Sequence, residues 1–568
     1  MNPDTPSVDV DRDPPGTTIL RVWNGEGLRD ETVLLRPTPT NDPNDPLVRI
    51  AVHHPILRSS FIVDTESQNW KCWEKALNFT LVLFYTLLIY SLLGVSTPTW
   101  EPMNTELGFS YETLTNSYAV GSAALCFGVI LFMPVAIKFG RRPSYIISTT
   151  LQIAISVWAS RIQNVADLML INAFNCFFGS LAEAIVQMTV ADIFFIHQRG
   201  VMTSIYVWVV IVANSLAPVA AGYVTAGQGW RWVWIWVSIL LGICLVLFFF
   251  FYEETKFTPL VEGAAPVSLP DPNRKSRILS GRDEEKNVGS LSAQDRDTLA
   301  QSASFCVLPR ASYIQRLKLW SSSPESFTTS ISHAGRPFVV ICTIPAVAYA
   351  ALIYGIVTAC YQVSVTVIAA YMVLPPFNFT SDQIGLMSGI PGFIGTSLGT
   401  LLSGFFSDKI ILWLAKRNGG VYEPEMRLWL LLAFGIFVPV GLLLFGYGLS
   451  QEKPWPVVAA GVGIFFTFGM TPASGMVLAY ITDAYTNVIS DAMVGVVFVR
   501  NAFATIFVVA LTPWIDAAGI ANVFLTLSLV AIVSIILGIG LLIYGKKIRM
   551  TTTKKYEAWS AKQCGLRD

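Results

Sequence analysis

Apolar residues run along this chain in long uninterrupted blocks, parted by short polar turns, rather than alternating at the period of a half-buried helix or strand. A helix needs roughly 20 such residues to cross a bilayer. The blocks predict twelve spans, at approximately 77–98, 113–137, 144–160, 168–191, 201–225, 233–252, 338–362, 383–406, 428–449, 456–480, 493–514 and 521–545. A polar stretch separates the sixth from the seventh. The expected fold is therefore an all-α membrane protein, twelve transmembrane helices in two six-helix halves. Its divisions are a cytoplasmic tail 1–70, a first half 71–252, a central cytoplasmic loop 253–337, a second half 338–545 and a tail 546–568. Within the loop, 262–305 holds too few large apolar groups to fold alone and is expected to be disordered. Tyr313–Trp320 interleaves aromatic, apolar and basic residues, which suits either a short amphipathic helix on the inner surface or a plain connector.

Basic residues orient the spans. With the N-terminus inside, cytoplasmic loops hold Lys138, Arg141, Arg142, Arg199, Lys409, Lys416, Arg417 and Arg427, and the tail adds Lys546, Lys547, Arg549, Lys554 and Lys555. Outside loops hold Arg161, Arg231 and Lys453. Asn378-Phe379-Thr380, between the seventh and eighth spans, then faces outward as a glycosylation candidate.

Composition agrees with this picture. Hydrophobic residues make up 53% and charged ones 13%, against about 25% charge in soluble domains. Net charge is zero, which gives nucleic acid no electrostatic footprint. The eight cysteines show no metal spacing and read as reduced, packed thiols. The polar first 70 residues lack the early apolar core of a signal peptide. His53, His54, His197 and His333 make no catalytic cluster, and neither a P-loop nor a nucleophile elbow occurs. The expected partners are the lipid bilayer, a small molecule and protons; no enzyme activity, metal or cofactor is expected.

Two loops carry a family resemblance. Lys138-Phe-Gly140-Arg141-Arg142-Pro143 follows the second span, and Gly404-Phe-Phe-Ser-Asp408-Lys409 echoes it six spans later. They resemble the signature loop G-x-x-x-D-R-x-G-R-R of the major facilitator superfamily, in corresponding positions of two parallel halves. The signature's Asp falls at Ile137 and its first Gly at Met133, so the cytoplasmic lock between halves must rest on Asp408 or be weaker. In the fifth span, Ala217-Pro218-Val-Ala-Ala221-Gly222 is similar to the G-P-x-x-G-G element of proton-driven antiporters, although bending or close helix packing would also explain it.

Further pieces resemble fungal members of the twelve-span drug:proton antiporter-like group: Asn44-Asp45-Pro46-Leu47, His197-Gln-Arg199-Gly200, Gly229-Trp230-Arg231-Trp232, and the run from Leu414 to Arg427. The last two look closest to the histidinol- and polyamine-transporter-like branch. The resemblance covers about residues 69–550. It implies a monomeric, alternating-access transporter driven by a proton gradient, in the plasma or vacuolar membrane. Export is favoured; uptake of polyamine-like cations and a non-transporting nutrient sensor are the alternatives.

Ionisable groups in hydrocarbon normally face a cavity or a partner. Two stand deep in the spans. Glu183 belongs to a stripe on the fourth span, with Asn172, Asn175, Gly179 and Gln187 at three- and four-residue steps. In the resembled fold that span lines the central cavity, so Glu183 is expected to exchange a proton or neutralise a cation; a permanently protonated structural role is the alternative. Arg500 needs an acid or several carbonyls. Its span packs between halves in the family, which implies a structural or gating role. Tyr85, Tyr90, Tyr354, Tyr361 and Gln362 are candidates for an aromatic, cation-binding lining, or for ordinary packing.

One segment breaks the fungal pattern D-P-x-D-P-L-N-W. Val48–Gln68 intervenes between Leu47 and Asn69-Trp70. Val codons begin GT and Gln can be CAG, the usual intron ends, so the segment reads as a retained intron or a lineage-specific insertion.

Overall fold

The computed structural model describes residues 18–19, 72–194, 196–255, 335–418, 421–485 and 488–564; some side chains in these ranges, including those of Met133, Ile137, Gln187, His197, Arg199 and Asp408, lie outside the described set. So do Val48–Gln68, Asn44–Leu47, 262–305, Tyr313–Trp320 and His333.

The first half contains α1 (Cys72–Gly94), a short α2 (Trp100–Leu107), α3 (Tyr111–Phe139), α4 (Arg141–Ala159), α5 (Val165–Gly179), α6 (Leu181–Ile193), α7 (Ile196–Gln228) and α8 (Trp230–Phe251). In the second are α9 (Arg336–Thr343), α10 (Pro345–Tyr371), α11 (Ser381–Arg417), α12 (Leu428–Gly435), α13 (Phe437–Ser450), α14 (Trp455–Ala459), α15 (Thr467–Ala484), α16 (Ile489–Ala518) and α17 (Ile520–Cys564). Four expected spans are each built from two helices: α5–α6, α9–α10, α12–α13 and α14–α15. The last pair is joined by a π-helical turn, Ala460–Phe466. Each half buries its own apolar core.

Among the described residues, eleven helical segments are long and apolar enough to cross a membrane. The remaining expected span is α4. Its Ser144, Ser148, Thr149, Gln152 and Ser156 are buried and recur at helical steps, so its polar stripe faces α5 and α8 rather than lipid. Ser148 donates to the Phe178 carbonyl at 3.0 Å, and Gln152 Nε2 to the Asn175 carbonyl at 2.7 Å. A helix shielded by its neighbours can be this polar because most of its polar groups are satisfied within the protein, Ser156 Oγ and Gln152 Oε1 being exceptions.

Two helices overrun their expected ends. α11 continues to Arg417 and α17 to Cys564, so most of the stretch expected to be a plain tail is helical. Charge explains the second case. Arg549, fully buried, grips Glu425 with two bonds of 2.8 and 2.6 Å, and Lys546 reaches Glu423 at 2.6 Å. The first half uses the same pairing of third and sixth spans with the signs reversed. There Glu254, just after α8, accepts the backbone N–H groups of Arg141 and Arg142 at 3.0 and 3.1 Å. A carboxylate at that helix N-terminus meets two of its unpaired donors and the positive end of the dipole. Gly140 makes the turn possible, at φ +100°.

A small sheet completes the connection between α11 and α12. β1 (Thr18–Ile19) pairs antiparallel with β2 (Val421–Tyr422), Thr18 opposite Tyr422 and Ile19 opposite Val421. The N-terminal tail thus touches the second half.

Candidate transport site between the two halves

The fourth span breaks at Ser180. Its hydroxyl bonds back to the Phe177 carbonyl at 2.7 Å, and the Glu183 N–H turns to the Ser180 carbonyl at 3.1 Å. One turn on, Glu183 meets the other half. Its side chain is 4% exposed and forms an ion pair with Arg500 of α16, itself 12% exposed. Asn501 Nδ2 donates to the second carboxylate oxygen at 3.2 Å. Arg500 also donates to the Tyr354 hydroxyl on α10 at 3.0 Å and to Asn501 Oδ1 at 3.1 Å. Glu183 and Arg500 lie about 15 Å of helix rise from the C-terminal end of α6 and the N-terminal end of α16, near half of a ~30 Å hydrocarbon core.

Two tyrosines extend the cluster. Tyr90 of α1 and Tyr206 of α7 share a hydrogen bond of 3.4 Å, and Tyr206 reaches the Ala182 carbonyl at 3.3 Å. Both phenols lie near Glu183 and Arg500. Aromatic faces, one carboxylate and one guanidinium therefore converge where the halves meet.

The other candidate residues divide. Tyr361 stacks on Phe466 with ring centroids 6.5 Å apart. Gln362 accepts from Ser122 of α3 at 3.2 Å, a second bond between halves. Tyr85 turns away: it bonds Ser148 at 2.7 Å and packs edge-on against Tyr145 within the first half. The upper part of the polar stripe turns inward as well. Asn172 donates to Ser117 of α3 at 3.3 Å, Asn175 is covered by α4, and Gly179 lies against Gln152 and Ile89. The expectation that the whole stripe faces one cavity is not met, because α5 is enclosed by α3 and α4 while only α6 reaches the second half.

The interface has two long seams, α7 against α11 and α3 against α16. In the first, backbones nearly touch. A Cβ on Gly222 would lie 2.7 Å from the Ser381 carbonyl, and one on Gly385 would collide with the Pro218 carbonyl. In the second, Val129 packs with Val494 and Val497, and Cys126 donates to the Phe498 carbonyl at 3.3 Å.

The sequence profile of the Major Facilitator Superfamily matches residues 79–497. This chain belongs to the Major Facilitator Superfamily. An uncharacterized MFS-type transporter of Schizosaccharomyces pombe, C1271.10c, is 29% identical over 95% of this chain and 94% of its own length. Protein HOL1 of Saccharomyces cerevisiae is 26% identical over 94% of this chain and 93% of its own. The fold is similar to that of the xylose transporter XylE from E. coli in a partially occluded inward-open state, with a TM-score of 0.52 at 14% identity, covering 82% of this chain and 97% of that one. The protein is a multi-pass membrane transporter that moves a small molecule by alternating access, and not an enzyme.

Several residues of this transporter carry contacts that sequence reasoning passed over. Tyr206 looked like any aromatic in an apolar block. Glu254 sits in a short acidic run after α8, next to Glu253, whose N–H is capped by Asn78 Oδ1 at 2.9 Å. Elsewhere in the first half, Glu106 of α2 accepts from both Trp230 and Arg231, at 2.9 and 2.8 Å. The Gly229-Trp230-Arg231-Trp232 motif therefore fastens α8 to a helix that the apolar pattern did not predict. Lys138 and Lys409 each lie over a phenylalanine ring, Phe139 and Phe405. Asn378 is exposed in the turn before α11.

Proposed function

We propose that this transporter exports a small organic molecule with a cationic group in exchange for protons, as a member of the drug:proton antiporter-like group, and that Glu183 is the group shared between proton, substrate and Arg500. The observation that carries the reading is the Glu183–Arg500 ion pair, which joins the halves at mid-depth. Arg500 keeps its charge at any workable pH. Glu183 can lose its own by binding a proton, and the attraction across the interface then disappears. A cation arriving between Tyr90, Tyr206 and Tyr354 would compete with Arg500 for the same carboxylate, with aromatic faces to receive it. Proton and substrate thus act on one bond whose breakage frees the halves to rock. Export is favoured by the antiporter-like Pro218–Gly222 element in α7. The plasma or vacuolar membrane is the expected site.

The test is transport of spermidine and of a hydrophobic cation, rhodamine 6G, in proteoliposomes with and without an imposed pH gradient. Glu183→Gln keeps the shape and cannot release a proton. It should cut gradient-driven transport of at least one probe by about tenfold, within the usual range of coupling between sites, while expression stays near normal. Wild-type rates with unchanged pH dependence would sink the role of Glu183.

A further inference from the structure

Above the Glu183–Arg500 pair, toward the outer face, α3, α10 and α16 spread apart around a cavity of about 160 Å³. It is lined by Tyr111, Glu112 and Thr115 from the first half and by Thr366, Tyr371 and Thr512 from the second, together with four aliphatic side chains of the second half. Glu112 is exposed and has no ion-pair partner among the described residues. Two more carboxylates lie near the phenols of the lining, Glu101 near Tyr111 and Asp516 near Tyr371. Glu101 also accepts from Ser381 Oγ at 3.0 Å, which ties α2 to α11 beside this mouth. Along α3 the order from outside is Glu112, Thr115, Ser122 and Cys126; along α10 it is Tyr371, Thr366, Gln362 and Tyr354. The Ser122–Gln362 bond therefore lies between the cavity and the mid-depth pair.

We propose that this cavity is a second, outer binding site for an organic cation, and that the Ser122–Gln362 hydrogen bond is the gate separating it from the inner pair. The chemistry points to a cation. Glu112 stands in its wall, Glu101 and Asp516 lie near its two phenols, and hydroxyls of Thr115, Thr366 and Thr512 can replace water around an ammonium group. Its size sets the class further. Drug-sized ligands occupy about 300 Å³ or more, so the space takes a small alkylammonium ion or one charged end of a longer amine. Because its walls come from both halves, rocking must change its shape, which makes it a waiting or release position. The assignment stands apart from the role given to Glu183.

Cysteine chemistry tests it without depending on transport. In intact cells, Thr512→Cys is labelled with membrane-impermeant methanethiosulfonates carrying either a positive or a negative charge, with the unsubstituted protein as background. Relative to their rates with a free thiol, the cationic reagent should gain about tenfold over the anionic one, the combined effect on the two of one unit charge near 7 Å at an effective dielectric of about 70. External tetraethylammonium should slow the reaction. Glu112→Gln should bring the two relative rates close together and weaken the protection, whereas Glu183→Gln, which frees the halves to rock and so shifts both rates together, should leave their ratio unchanged. Gln362→Ala should open the gate, raising the rate at which Cys126 is labelled from outside. Equal relative rates for the two reagents in the Thr512→Cys protein, or protection indifferent to Glu112→Gln, would overturn the outer site. An unchanged Cys126 rate would overturn the gate.

Discussion

At the scale of single residues, the most exacting contact outside the transport site is Glu425–Arg549. Both side chains are buried, and the carboxylate takes two guanidinium bonds. Removing one partner strands a charge, so Arg549→Met should destabilise the second half by about 3–5 kcal/mol. Thermal unfolding of the purified protein reads this, and Glu425→Gln in the same chain should recover part of the loss. No recovery would mean that Arg549 acts through packing alone. Gly545 gives a subtler check: a Cβ there would stand 2.7 Å from the Glu425 carboxylate, so Gly545→Ala should mimic loss of the pair. Nearby, burial and the adjacent Asp483 hold the Tyr422 phenol above its usual range. It stays protonated at neutral pH and can donate to Asp483 while accepting from Arg427 at 3.1 Å. Tyr422 also lies opposite Thr18, so the same residue orders the loop and receives the tail.

At the scale of helices, the α7–α11 seam is a close approach between the two halves. Gly222, Gly385 and Gly389 leave room for backbone against backbone, which larger side chains would forbid. Gly389→Val should wedge the outer ends apart, cutting transport at least about tenfold while leaving expression intact. External labelling of Ser381→Cys should rise in the same variant; an unchanged labelling rate would show that the seam does not govern the outer face. The α4 helix teaches a different lesson. Its stripe of Ser, Thr and Gln lowers its hydropathy because neighbours cover it, so burial in protein rather than contact with lipid decided its composition.

At the scale of the whole molecule, orientation is open to direct test. Asn378 is exposed between α10 and α11. Asn378→Cys should be labelled by an impermeant reagent in intact cells, and labelling solely from the cytoplasmic side would reverse the assigned topology. The mature transcript is expected to join Leu47 directly to Asn69, restoring the fungal motif next to the basic Lys71 and Lys75 at the cytoplasmic interface. Sequencing it decides the matter: a transcript population that keeps the Val48–Gln68 segment would refute the splicing idea and leave the transporter unaffected.

What the sequence determined by itself is the architecture: number of halves, approximate spans and two unavoidable charges in hydrocarbon. These follow from one-dimensional quantities, namely run length, local composition and the cost of an isolated ion in lipid. Which charge meets which was decided by tertiary structure. Glu183 and Arg500 are hundreds of residues apart, and only the docking of α6 against α16 makes them partners. The same holds for Tyr206, for Glu254 at the α4 N-terminus and for the outer cavity, whose walls come from both halves. Periodicity says which residues share a face of one helix. It does not say which helix that face will meet, and so Tyr85 and Asn172, plausible cavity residues by spacing, ended inside the first half instead.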